Sequence, residues 1–255
     1  MISQALLILF VSILPGERFV GEKLCYEFFV FGILKVGDAC VSFEKGEEGY
    51  EVRGEARPNA FASNFTGVRE VLFRTLIKED KEQERLNPYR VERTVRREDE
   101  EIETVYTPVG KEWKWNSILK KEGKDEETSG VVPLPLGGGI FDDPLSAVYN
   151  FRSGAFGEKK EGETVTIQAL TYDGKGRITL KLMDFKEHGT GQEEILYMVQ
   201  AITDGDTLGI KFRDVLIWVG PNDVPLKGVI RGAIPVLNIT TSLKKQAEES
   251  RGQNP

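Results

Sequence analysis

A chain of 255 residues with 34 basic and 41 acidic side chains, a net charge of -7, one His and two Cys is long enough to bury a core without metals or a disulfide framework. The acidic balance, with no basic stripe to overturn it, excludes nucleic-acid binding through phosphate contacts. The single histidine, His188, sits between Glu187 and Gly189 in a turn-like context, which removes Ser-His-Asp, Cys-His and His-zinc mechanisms together, because each needs an imidazole beside buried partners.

The first apolar run is Ala5 to Leu14, followed by Pro15-Gly16 and the first charges at Glu17 and Arg18. Its length suits a signal-peptide core and is short for a membrane-spanning helix, so residues 1–20 are set apart as a signal-like segment. No Lys or Arg precedes the run and no clear small-x-small site follows it, so a buried first strand or a misplaced start codon stand as alternatives. Cys25 follows Glu22-Lys23-Leu24, which lacks the small residues of a lipidation site.

Leu24 to Phe31 and Val36 to Phe43 are β-branched and aromatic runs joined by a Gly-containing turn, the pattern of a hairpin. Cys25 and Cys40 then lie nearly opposite each other. A disulfide is geometrically allowed there, and two small buried residues of a reduced protein are the alternative. Two thiols alone cannot complete a tetrahedral metal shell. Tyr50 to Arg57 alternates as a half-exposed strand, Ala60 to Phe65 is a short apolar piece at one end of the sheet, and Val68 to Ile77 resumes as strand. The mixed-sign runs around 78–85 and 96–103 read as solvated faces and turns, with a binding surface for a charged partner as the alternative. Pro88 to Val95, Ile102 to Tyr106 and Trp113 to Leu119 continue the antiparallel pattern, with Trp113 and Trp115 on one face, either as core or as a sugar or lipid platform. Lys120 to Ser129 reads as a polar loop, and Gly137 to Gly139 as a hinge or lid. The triplet lacks the spacing and the Lys-Ser/Thr of a phosphate loop.

One stretch carries a helix signal. Asp143 suits the cap, Pro144 the first turn and Gly154 the stop, with Leu145, Val148 and Tyr149 as an apolar stripe and Arg152 at the carboxyl end, where a cation complements the dipole. Three turns are marginal alone in water, so the helix must pack its stripe on a sheet. After it, strands over 164–172, 177–185, 192–202, 210–219, 224–234 and 236–243 are separated by turns at Asp173-Gly174, His188-Gly189, Asp204-Gly205 and Asn222-Asp223, which is the pattern of a meander.

The run Asp143, Pro144, Leu145, Ser146, Ala147, Val148, Tyr149 with Arg152 resembles the central motif of a bacterial envelope family, domain of unknown function 3108. Two further blocks agree in order. Gly21, Glu22, Leu24, Tyr26 and Glu27 with Gly32-Ile33 and Gly37-Asp38-Ala39 resemble its opening hairpin, and Val215 to Val219, then Val224-Pro225-Leu226 and the strand to Leu243, its closing strands. In the closing block Gly220-Pro221-Asn222-Asp223 replaces a more basic stretch. The resemblance covers about Gly21 to Leu243, implies an exported protein of the bacterial periplasm or cell envelope, and brings no catalytic residue.

The expected fold is all-β with one short helix: a single antiparallel domain over 21–243, of about a dozen strands, strongly curved into an open or incomplete barrel with the helix on its concave side. A polar tail, 244–255, follows. By analogy of architecture with half-barrel carriers of lipoproteins and lipids, the leading function is a non-enzymatic envelope protein that holds a lipid or other apolar ligand between sheet and helix, with Leu145, Tyr149 and Arg152 as its contacts. Arg152 has a second reading, an internal ion pair. A structural or adaptor protein with a filled core, meeting another envelope component on its outer face or edge, is the second function. The third is a hydrolase using Asp142 or Asp143 with a facing Glu. No cofactor or metal is implied, and the oligomeric state is left open.

Overall fold

Period-two alternation of apolar and polar side chains gives each strand one face for a core and one for water. A computed structural model shows how this chain uses it, describing residues 15–110, 112–133, 141–170, 176–184, 195–203, 214–234 and 237–244. The signal-like run up to Leu14, the Gly137–Gly139 triplet, the turns at Asp173-Gly174, His188-Gly189 and Asp204-Gly205, and the tail beyond Lys244 lie outside the described residues.

Among the described residues there are fourteen strands, β1 (Glu22–Val30), β2 (Leu34–Gly46), β3 (Gly49–Pro58), β4 (Val68–Asp80), β5 (Arg85–Arg97), β6 (Glu100–Val109), β7 (Glu112–Lys121), β8 (Lys124–Pro133), β9 (Thr164–Ala169), β10 (Gly176–Asp184), β11 (Tyr197–Thr203), β12 (Asp214–Val219), β13 (Pro225–Ile234) and β14 (Leu237–Leu243). They form one antiparallel sheet in the order β8-β7-β6-β5-β4-β3-β2-β1-β14-β13-β12-β11-β10-β9. The sheet is not closed: β8 and β9 are its edges, and β1 and β14, the first and last strands, meet at its centre through Val30 opposite Ile239. Among the described residues no helix is long and apolar enough to cross a membrane.

Two helices interrupt the strands, α1 (Ala60–Thr66) and α2 (Pro144–Ser153). The sequence suggested one. The extra helix is short and locally specified: the Asn59 side chain accepts from Ala62 N at 3.0 Å, and Gly67 stops it in the left-handed conformation. A second correction concerns 120–129, where the sequence suggested a loop. β8 occupies most of it, pairing Leu119 with Glu126 and Trp113 with Val132. Its charged residues look like loop because β8 is an edge strand, and charge on an edge discourages pairing with another chain.

The curl of the sheet follows from what α2 touches. It packs against β3, β4 and β5 and also against β9, strands far apart in the sheet order, so the sheet must wrap around it. Three apolar clusters line the inner face. Phe19, Phe43, Tyr50, Val52, Ile77, Leu86 and Tyr149 form one. Ala147 with residues of β9, β10, β11 and β12 forms the second. In the third, Phe141 and Leu170, flanking the β9 edge, pack with Val91, Tyr106, Trp113 and Val132 on the β8 side, so side chains bridge the gap that backbone pairing leaves. Trp113 is therefore core, with Trp115 packed against it. At Gly54 the helix comes close: a Cβ there would lie 3.4 Å from Leu145.

Cys25 and Cys40 are register partners on β1 and β2 and are joined by a disulfide. Closing a loop of 15 residues restricts the unfolded chain by about 3 kcal/mol on the chain-entropy model. Reductant, or the paired Cys25→Ser and Cys40→Ser changes, is expected to lower stability by about 2–4 kcal/mol, read as a shift of the urea midpoint.

Candidate functional site

In α2 and the residue pair before it, polar groups recur at helical spacing. Asp142, Ser146 and Asn150 lie at i, i+4 and i+8, which places them on one side. That side faces inward: Asp142, Asp143, Ser146 and Asn150 are wholly buried, whereas Val148, expected in the apolar stripe, is 43% exposed. The helix thus presents polar groups to the sheet with Tyr149, Ala147 and Leu145 beside them.

Asp142, Asp143, Ser146 and Asn150 are each matched within the chain. The Asp143 carboxylate accepts from Leu145 N and Ser146 N, both at 3.1 Å, and Ser146 Oγ accepts from Asp143 N at 3.0 Å, a reciprocal capping box. Asp143 Oδ2 also accepts from Thr75 Oγ1 on β4 at 2.7 Å. Asn150 behaves as a piece of strand: its Oδ1 accepts from Leu86 N and its Nδ2 donates to Leu86 O, each at 2.8 Å. Leu86 pairs with Glu79 of β4, while the β5–β6 pairing begins only at Val91, so the amide supplies Leu86 with bonds on the side that β6 does not cover.

Asp142 is held twice. Its backbone pairs with the β9 edge, N donating to Gln168 O at 2.9 Å and O accepting from Leu170 N at 2.8 Å. Its carboxylate accepts from Asn150 Nδ2 at 2.8 Å and Ser146 Oγ at 3.1 Å, and forms an ion pair with Arg85 of β5. Burial pushes this carboxyl up to about 6, outweighing the Arg85 charge and the Asn150 bond, with neighbouring Asp143 adding to the rise.

At the other end of α2, Arg152 is 3% exposed and holds Glu22 of β1 with two parallel bonds, Nη1 to Oε1 at 2.5 Å and Nη2 to Oε2 at 2.7 Å. The Tyr149 hydroxyl donates to the same Glu22 at 3.0 Å. The guanidinium lies 4.7 Å from the Phe19 ring centroid and 5.2 Å from that of Tyr149. Burial opposes the charge on Arg152, but the Glu22 bonds and charge more than offset it and the pKa is raised. Arg18 donates to the Arg152 carbonyl, and Gly154 closes the helix by donating to Asn150 O and Phe151 O. Beyond it, Lys159 Nζ meets Asp223 Oδ2 at 2.6 Å, and Tyr197 donates to Asp223.

The residues expected to meet a ligand are therefore brought together on one helix, and each has partners within the chain. Leu145 rests on Gly54 and the cluster around Phe43, Tyr149 sits between Phe19 and Phe43 with ring centroids 4.9 and 4.7 Å away, and Arg152 takes the internal-pair role. Asp143, Pro144 and Gly154 occupy the cap, first-turn and stop positions. Sequence reading missed Thr75, Arg85 and Asn150, and named Glu22 only within the opening-hairpin block and not as the partner of Arg152. Ser146 at the third position after the cap and the four-residue spacing to Asn150 were signals in plain view; the strand partners had none. Compared with family models, curated proteins and solved structures, the chain shows no significant match.

Asn150→Leu strands both Leu86 groups and removes a donor from Asp142, and is expected to cost about 2–4 kcal/mol in urea denaturation. For Asp142 the raised folded pKa means that the folded chain holds the proton more tightly. Stability from this group is full below 3.8 and falls as pH rises through about 6. The fall should be absent from the Asp142→Asn profile, and so present in its difference from wild type, when the urea midpoint is followed against pH.

Proposed function

We propose that the chain is a non-enzymatic cell-envelope protein of structural or adaptor type, its concave side filled by its own helix and its partners met on the outside. The observation that carries this is the attachment of α2. For cargo to lie between helix and sheet, α2 would have to lift, giving up the Asn150–Leu86 amide pair, the Asp143–Thr75 bond and the Arg152–Glu22 ion pair together. Buried polar groups left unpaired cost about 1–3 kcal/mol each, and charged ones more, which makes a cover of this kind expensive to open.

A hydrolase needs two carboxylates flanking a space that substrate can enter. Asp142 and Asp143 are wholly buried and already bonded within the chain, which favours their structural role. Export is supported by the signal-like run, by the three blocks that resemble an envelope family, and by the Cys25–Cys40 bridge, which an oxidising compartment sustains.

Protein purified from its host's envelope fraction should release no stoichiometric lipid or other apolar small molecule on organic extraction, and Tyr149→Trp should lower stability through overpacking by about 1–3 kcal/mol. Recovery of one apolar molecule per chain, lost in that variant, would restore the carrier reading. Finding the full-length chain only in the cytosol would remove the envelope assignment.

A further inference from the structure

Two uncharged stretches stand out in a chain that is 29% charged. Phe28 to Leu34 reads FFVFGIL and Pro58 to Gly67 reads PNAFASNFTG. The fold brings them to one end of the sheet: the first contains the β1–β2 hairpin tip, and the second follows β3, whose Pro58 pairs with Gly37 near the start of β2. Asn59 N donates to Val36 O at 2.8 Å and its side chain to Lys35 O at 2.6 Å, fastening α1 beside the tip.

The apolar side chains there point into water. Ile33 is 85% exposed, Phe65 77%, Phe31 71%, Phe61 49% and Leu34 44%, and α1 buries none of its own residues. Phe61 and Phe65 pack on each other with tilted rings, centroids 5.0 Å apart. Phe31 and Gly32 both hold positive φ, 55° and 71°, as the hairpin turn requires. Asn or Gly suits that first position, so an exposed Phe there costs conformational energy.

The rim decides what fits this end. Lys35 is compensated by Glu27 at 2.7 Å and Asp38 at 2.9 Å, Arg57 by Glu55 at 2.5 Å and Glu70 at 2.8 Å, and Arg69 by Glu98 at 2.7 Å. With Lys244 on Asp38 and Arg96 on Glu70, five cations face five carboxylates, so the complement is an apolar surface without net charge. The apolar groups project from two separate protrusions, which a fluid lipid layer accommodates without a matching shape.

We propose that Phe31, Ile33, Leu34, Phe61 and Phe65 form a membrane-seating surface that dips into the interfacial region of a zwitterionic lipid bilayer. It does not rest on the adaptor reading, since a carrier or an adaptor would be seated by it equally. Burying two large apolar side chains is worth enough to change partitioning by tenfold or more.

The test is sedimentation of the full-length chain with phosphatidylcholine vesicles. Wild type should bind, the double variant Ile33→Asp with Phe65→Asp should bind about tenfold more weakly, and Ile33→Leu with Phe65→Leu should bind as wild type. Val109→Asp with Val131→Asp, two exposed apolar positions away from this end, should leave binding unchanged. All forms carry the apolar run 5–14, so an Asp variant that binds as strongly as wild type gives the binding to that run and overturns the proposal. Failure of the wild type to bind overturns it. So does binding that needs phosphatidylglycerol and vanishes in salt, or a wild-type dimer that the Asp variant converts to monomer, which would give the surface to a second copy. An unchanged thermal midpoint in the Asp variant establishes that its loss is not unfolding.

Discussion

The double attachment of Asp142 is the constraint on which the remaining architecture depends. An open sheet of fourteen strands has two edges, and strongly curved sheets leave such edges as unpaired donors and acceptors unless something covers them. Asp142 pairs its backbone with the β9 side and gives its carboxylate to Arg85 of β5 and to Asn150 of α2. One residue thus fastens an edge, the helix and the opposite half of the sheet. A buried carboxylate is costly, and here several donors converge on it. An apolar substitute of the same volume could pack as well, but it would not fix which strand position the helix addresses.

The same logic explains why α2 turns polar groups inward. The Leu86 amide and carbonyl have no partner from β6, and a Leu or Val facing them would leave both unsatisfied; Asn150 supplies both bonds with one side chain. Apolar burial then comes from the flanks, through Tyr149 among Phe19, Phe43 and Leu86 on one side and Ala147 against β9 to β12 on the other. At the carboxyl end, the Arg152–Glu22 pair sits where the helix dipole favours a cation, and it ties α2 to the strand at the sheet's centre.

Most of the strands were legible because their inner positions are apolar at period two, as in Tyr50, Val52 and Gly54 against Glu51, Arg53 and Glu55. The strand that was not legible, β8, is polar because it is an edge, and polarity is also what marks a loop. The cap, the stop and the position of α2 were readable from Asp143, Pro144 and Gly154, and the place of Cys25 opposite Cys40 from the hairpin. The direction of α2 was not readable. Apolar periodicity assigns Val148 to the core, and only the unpaired backbone of Leu86, a property of strands distant in sequence, reverses it. The partners Thr75, Arg85 and Glu22 are ordinary strand residues until the sheet curls, so no local pattern distinguishes them from their neighbours.

The outer face of β3 to β7 follows the opposite rule from the inner one. Arg57, Glu70, Arg96, Glu101 and Lys120 alternate in sign from strand to strand, with bonds of 2.8 Å between Arg57 and Glu70, 2.6 Å between Arg96 and Glu101 and 3.2 Å between Lys120 and Glu101, and a close pair between Arg96 and Glu70. A parallel row runs through Glu51, Arg74 and Glu92, where the Arg74 hydrogen bond holds the Glu51 carboxyl down at about 2. Exposed pairs of this kind add little individually. Collectively they tie strand to strand across the face. They also set the response to acid. Their stabilisation is present above the ordinary carboxylate range and is lost as pH falls towards their depressed values, whereas the contribution of the buried Asp142 carboxyl runs the other way, growing as pH falls from about 6 towards 3.8.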